Sequence, residues 1–236
     1  MLVLAISTST AQVGCAIGGH EGTIASFQSA KGRRHAETLT PAIQFLTEQA
    51  RVPLREISAV TVDIGPGLFT GLRVGVATAK ALASALRVPM VGVSSLDLLA
   101  FPVRWSDRRI ASVIDARRGE VFFSFYQQVP GGVQRTSPHR VGSPAELCSE
   151  IQATGGEVLA VGDGALRYRD DLADLTRVEV GDGPLAYPSP SALAVLAHAQ
   201  ALREEFVQPW ELEPIYLRKA DAEINWHTRE RPAGGG

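Results

Sequence analysis

Apolar and polar positions alternate over residues 2–7, about 12–18 and 23–29. A period of two predicts three short strands, and Gly18-Gly19-His20-Glu21-Gly22 offers a hairpin connection between the second and third. The period then lengthens. Leu39, Ala42, Ile43, Leu46 and Ala50 fall on one stripe at i, i+3, i+4 spacing and predict a helix over 35–50. The β-branched run Ala59–Ile64 predicts a buried strand over 58–64. Residues 73–86 predict a helix of unusual composition, with alanines at 77, 79, 81, 83 and 85 among Val74, Val76, Leu82 and Leu86, and only Arg73 and Lys80 charged. A surface helix ordinarily has one apolar stripe and a polar back. This one is small or apolar nearly all round, so it is either buried inside its own domain or packed on two sides, with its own sheet on one and a partner on the other. A strand over 88–93 follows, then a helix opening at Ser94 or Ser95 with Asp97 in its first turn.

The order then returns. Ile110–Asp115 and Val121–Gln127 read as strands joined at Arg117-Arg118-Gly119, and Val133–Val141 as a third. Ser143-Pro144-Ala145-Glu146 is a strong helix start, with a Ser cap, Pro at the first position and Glu at the third. Glu157–Val161 predicts a strand and 189–205 a helix. Two halves, each a meander followed by α/β units, predict a duplicated α/β fold, although no internal sequence identity accompanies the repeat. The Pro/Gly punctuation near Phe101-Pro102 places the boundary, giving lobes over 1–103 and 104–218 and a polar tail over 219–236. Helix 189–205 is free to pack back on the first lobe.

Composition narrows the classes. The 236 residues are 45% hydrophobic, enough for a real core, and carry a net charge of −2. With a pI near 6.2, a broad basic face that grips nucleic acid unaided is excluded. Cys15 and Cys148 make neither a disulfide framework nor a CxxC site, and Cys15 sits in an apolar alternation that predicts a buried thiol. The N-terminal apolar run stops after Ile6 without a basic flank, and no stretch approaches the roughly 20 apolar residues of a membrane span. A cytoplasmic protein without membrane contact is expected. The histidines, His20, His35, His139, His198 and His227, never pair at HxxxH or HExxH spacing, and no GxSxG elbow is present. No catalytic residue, metal or cofactor is expected. His35 reads as a surface or interface residue. Asp115 and Glu120, flanking a turn with Arg117 and Arg118, read as an ion-paired surface turn.

The most informative stretch is Gly65-Pro66-Gly67-Leu68-Phe69-Thr70-Gly71-Leu72-Arg73-Val74-Gly75. Strand, glycine-rich turn and helix in that order place backbone N–H groups at a helix N-terminus, where anions are favoured. The spacing is neither GxGxxG nor GxxxxGK[ST]. Binding a phosphate and making a tight turn are both open. Gly65 and Gly67 are expected to supply unusual φ, and Gly71 and Gly75 close packing.

Five segments in order resemble the TsaB family: Leu4–Thr10 its LAIDTST strand and turn, His35–Leu39 its HSELL helix start, Gly65–Gly75 its GPGSFTGLRIG, Asp115–Val121 its DARMGEV, and Pro214–Arg218 its PxYLR ending. The resemblance covers about residues 2 to 218. It implies an actin-like ATPase fold (ASKHA, Hsp70- and sugar-kinase-like) with two similar α/β lobes. It also implies a bacterial subunit needed to form threonylcarbamoyladenosine beside the anticodon of tRNAs that read codons starting with A. TsaB proteins pair through the two helices at 35–50 and 73–86, with the transferase subunit TsaD or with a second copy of themselves. The implied interface is His35, Ala36, Leu39, Thr40, Ile43, Arg73, Val74, Ala77, Lys80 and Ala81. TsaE joins in a larger complex, and tRNA is met only through that complex, with Lys31, Arg33 and Arg34 available to a shared surface.

The chemistry is where the resemblance to catalytic relatives stops. Ser7 stands where the family usually has Asp, and a hydroxyl lacks the charge that a hard cation prefers. Ser7, Thr8 and Ser9, with Gly65 and Gly67, therefore read as a vestigial phosphate loop. TsaD-like chains carry metal-binding histidines where this one has Val93–Leu99, with no histidine. A small-molecule kinase or ATPase of the actin-like class is the alternative, and a metalloprotease is a weaker third.

Overall fold

The computed structural model describes residues 1–30 and 34–218. Its first sheet has the order β3-β2-β1-β4-β5, built from β1 (Leu2–Ser7), β2 (Val13–Gly19), β3 (Gly22–Ser29), β4 (Ile57–Asp63) and β5 (Met90–Val93). β1, β2 and β3 form an antiparallel meander, and β4 and β5 add in parallel. Parallel addition needs covering crossovers, supplied by α1 (His35–Ala50) and α2 (Phe69–Leu86).

The second sheet runs β11-β10-β6-β7-β8 and repeats this topology. β6 (Arg109–Arg117), β7 (Glu120–Val129) and β8 (Gly132–Arg135) are the meander, while β10 (Val158–Val161) and β11 (Val178–Val180) add in parallel. The strand expected over 133–141 is instead two pieces. β8 ends at Arg135 and β9 covers Arg140–Gly142, with both pairing to β7. Pro138 lies in the gap and cannot donate to a ladder. α4 (Pro144–Ala153) starts as its sequence predicts: the Ser143 side chain accepts from the Glu146 N–H, and Glu146 accepts from the Ser143 N–H. Where the first lobe has the 18-residue α2, the second has α5 (Asp163–Arg167) and α6 (Arg169–Ala173), five residues each.

Three features join the lobes. α3 (Ser95–Ala100), capped by Ser94, sends Leu96, Leu99 and Ala100 into a cluster with Ile110, Ile114, Phe122 and Tyr126. α7 (Pro190–Leu202), capped by Ser189, follows the second sheet in sequence, yet Leu193, Ala194 and Ala197 pack on Val3, Ala5 and Val91 of the first. The chain end then crosses between lobes. The Ile215 N–H donates to the Ile64 carbonyl at 2.8 Å, and Arg218 Nη1 lies 2.8 Å from Glu120. The tail expected over 219–236 lies outside the described residues.

Candidate functional site

α2 begins four residues earlier than its apolar run predicts, at Phe69, because Phe69–Leu72, Gly71 included, is itself helical, while Gly65 and Gly67 stay in the turn before it. Gly71, Leu72, Gly75, Val76, Ala79 and Ala83 face inward, while Arg73, Ala77, Ala81 and Ala85 face solvent. Burial within its own domain on every side is thereby overturned. On α1, Ala36, Thr40 and Phe45 are exposed, Phe45 by 53%. Phe45 was missed in the sequence, although it falls off the stripe formed by Leu39, Ala42, Ile43 and Leu46.

The structure divides the ten residues implied as an interface. Ala36, Thr40, Arg73, Ala77 and Ala81 are exposed, and Val74 and Lys80 half-buried. Leu39 and Ile43 belong to the first lobe's core and do not face outward. His35 is also inward: it is buried, and its Nε2–H donates to the Thr10 carbonyl at 2.8 Å. Of the expected surface or interface role, the surface part fails, because the Thr10 carbonyl, distant in sequence, takes the ring N–H. At the α2 N-terminus, the Arg73 guanidinium lies 3.8 Å above the Phe69 ring, and Tyr216 stacks beside Phe69 with ring centroids 5.3 Å apart.

The glycine-rich turn is filled by the chain itself. The Leu68 N–H donates to the Ser9 carbonyl at 2.6 Å, and Thr8 Oγ1 donates to the Gly71 carbonyl at 2.7 Å. A Cβ on Gly67 would overlap the Ser9 carbonyl oxygen, and one on Gly71 the Thr8 carbonyl oxygen. Gly65 has φ +92, as expected of it, whereas Gly67 is required for close approach and not for a positive φ.

The carboxylate absent from Ser7–Thr10 arrives from the neighbouring strand. Asp63, 1% exposed, ends β4 beside Ser7 at the end of β1. Ser7 Oγ donates to Oδ2 at 2.9 Å and Ser9 Oγ at 2.5 Å; the Gly65 N–H donates to Oδ1 at 3.0 Å, and Ser95 Oγ donates there too. Burial pushes this carboxyl up from its ordinary range, and the four hydrogen bonds pull it back. In the sequence Asp63 is an interior position of the strand expected over 58–64, and nothing local distinguishes it there.

The second lobe's strand ends are built differently. Asp115 is nearly buried, so it is not the surface group expected from its turn. Arg117 Nη1 lies 3.0 Å from it and Arg167 Nη1 3.6 Å, so the expected ion pairing is present. Asp163 Oδ1 accepts from the Asp115 N–H at 3.0 Å, and burial, reinforced by the Asp115 charge, pushes its carboxyl up to about 6. Between the lobes, His139 reaches Ser94, with Nε2 3.1 Å from Oγ and 2.5 Å from the Arg135 guanidinium. Asp97 Oδ1 is 3.8 Å from that same nitrogen and accepts the Tyr126 hydroxyl at 2.6 Å. These contacts share one ring nitrogen and the Ser94 hydroxyl caps α3, so the trio lacks the relay geometry of a nucleophilic triad. Burial pushes the Cys15 thiol up to about 12, which makes it inert at neutral pH. Among the described residues, no group of three or more His, Cys, Asp or Glu could hold a metal ion. No helix there is long and apolar enough to cross a membrane.

The profile of the TsaD family, tRNA N6-adenosine threonylcarbamoyltransferase, matches residues 26–226. The Bacillus subtilis tRNA threonylcarbamoyladenosine biosynthesis protein TsaB is 32% identical over 228 residues, 96% of this chain and 98% of its own. The chain is a member of the TsaB family. The solved structure of YeaZ from Pseudomonas aeruginosa superposes with a TM-score of 0.77 at 28% identity, covering 92% of this chain and 99% of that one. A more distant structure, the activator of 2-hydroxyisocaproyl-CoA dehydratase from Clostridium difficile with bound ADPNP, superposes at TM-score 0.50 and 12% identity over 92% of this chain, and speaks to the fold alone. The repeated topology and these neighbours make this TsaB-family chain an actin-like α/β protein of two lobes.

Proposed function

We propose that this TsaB-family chain serves threonylcarbamoyladenosine formation on tRNA as a non-catalytic subunit that binds TsaD and holds it active. The observation that carries the reading is the outward face of α1 and α2, where Ala36, Thr40, Ala77 and Ala81 leave small side chains in solvent. Small residues let a partner's helix backbone approach closely, and Phe45 and the Phe69–Arg73–Tyr216 group supply larger anchors at the rim. In the absence of TsaD the same face pairs two copies of this chain. TsaE joins the larger complex, and tRNA is met through the assembly. Arg34 is exposed and pairs with Glu37 at 3.7 Å, while Lys31 and Arg33 lie outside the described residues. The lobes divide at 103/104 and end at 218, with α7 assigned to the first lobe by packing. The Ser9 carbonyl seated in the glycine-rich turn argues against a kinase or ATPase, because it takes the amide that a phosphate would use.

The deciding experiment is size exclusion of this chain with its cognate TsaD, followed by reconstitution with TsaE and a source of threonylcarbamoyl-adenylate. A co-eluting complex is expected, with modified tRNA nucleoside made over many turnovers only when this chain is present. Full turnover without it, or no complex with TsaD, would remove the proposal.

A further inference from the structure

The loop at residues 8–10 holds the first turns of both interface helices. Thr8 Oγ1 and the Ser9 carbonyl bind the start of α2, and the Thr10 carbonyl binds His35 at the start of α1. Asp63 in turn grips Ser7 and Ser9, which bracket Thr8, and reaches Ser95 at the start of α3, the helix packed on the second lobe. Four donors converge on one buried carboxylate, and each would be left without an acceptor if it were removed.

We propose that Asp63 is a positioning residue for the partner-binding face: it anchors the 8–10 loop and so sets the first turns of α1 and α2 relative to each other. This rests on the reading that the two helices bind TsaD or a second copy. Nothing else about Asp63 suits a ligand-binding role, since its acceptor capacity is taken by the chain's own groups. The related LAIDTST motif carries its carboxylate at the position of Ser7, adjacent to Asp63 across the β1–β4 pair. Ser7 Oγ and the Asp63 carboxylate face each other at 2.9 Å, so exchanging the two side chains keeps one carboxylate at the loop.

The test uses the full chain and two independent readouts, amide hydrogen exchange and affinity for TsaD, both taken well below each variant's melting midpoint. In Asp63→Asn an amide group replaces one acceptor oxygen. Exchange at residues 36–40 and 69–73 is expected to speed up at least tenfold while α4 and α7 are unchanged, and TsaD affinity to fall about tenfold. Ser7→Asp combined with Asp63→Ser is expected to restore both. Should Asp63→Asn not fold, Ser9→Ala removes one hydroxyl while keeping the carbonyl that binds Leu68, and is expected to show the same local pattern more weakly. Unchanged exchange in the two first turns, or an increase spread evenly over the chain, would overturn the proposal. If wild type fails to bind TsaD, the interface reading falls, and the exchange pattern still decides whether Asp63 anchors the loop.

Discussion

The two lobes share one topology and build opposite strand ends. In the first, one carboxylate, Asp63, is sealed under uncharged donors from three segments. In the second, Asp115 and Asp163 lie side by side under Arg117 and Arg167, whose side chains are 49% and 57% exposed. The helices after the first strand added in parallel, β4 or β10, differ in the same direction: an unbroken 18-residue α2 against two five-residue pieces. A sealed polar anchor carries its full weight because water cannot substitute for a lost partner. A largely buried carboxylate pair under exposed arginines is buffered by water only on the arginine side. The first lobe therefore supports its helical face on a buried anchor of uncharged donors, and the second ends its strands under exposed arginines.

The largest effect expected from this contrast is on assembly. Ala81→Glu places a charge on the outward side of α2 and should leave the melting midpoint almost unchanged. It should weaken TsaD binding or self-association on the order of 100-fold, because it adds volume and an unpaired charge to a close contact. Asp170→Arg on exposed α6 should leave binding as it was. Equal effects from the two variants, measured by titration calorimetry, would erase the distinction between the lobes.

Removing the anchors should separate the lobes by stability. Asp63→Ala orphans three hydroxyls and an amide away from water and should cost about 3 kcal/mol in urea unfolding. Asp115→Ala loses partners that water can in part replace and should cost about 1 kcal/mol. A larger loss at Asp115 would contradict the contrast between a fully sealed anchor and one whose partners face water.

A pH signature marks the second lobe. Asp163 holds its proton up to about 6 in the folded protein, against an ordinary 3.8 when unfolded. The folded state therefore binds the proton more tightly. This group's favourable contribution is complete below about 4, is lost as pH rises towards about 6, and is absent above. Asp163→Asn keeps an oxygen for the Asp115 N–H and removes the charge. Relative to wild type it should gain stability as pH rises from 4 to 6.5, by up to about 2 kcal/mol. A pH-independent difference between the two would show that Asp163 is ionised throughout that range.

The sequence by itself determined most of the elements and their order, though not α5, α6, β11 or the break between β8 and β9. Periods of two and 3.6 and the Ser143 capping box follow from local backbone and side-chain chemistry, and the structure keeps them within a few residues; between neighbouring candidates, it selects Ser94 and Ser189 as the caps of α3 and α7. Five ordered segments were enough to bring the family into view. The first lobe's anchor was not legible, because Asp63, Ser9 and Ser95 meet only when parallel strands align their ends, and separation along the chain carries no record of that meeting. Nor was the direction of the α2 alanines: with apolar residues all round, the helix has no polar face to mark its outside. Only the packing of Gly71 and Gly75 on Thr8 rotated Ala77 and Ala81 into solvent. His35, which as a lone histidine read as a surface or interface residue, is held inward by the Thr10 carbonyl. Local structure is written in neighbouring residues, whereas the facing of a uniform helix and the partners of a buried polar group are decided by the elements that close over them.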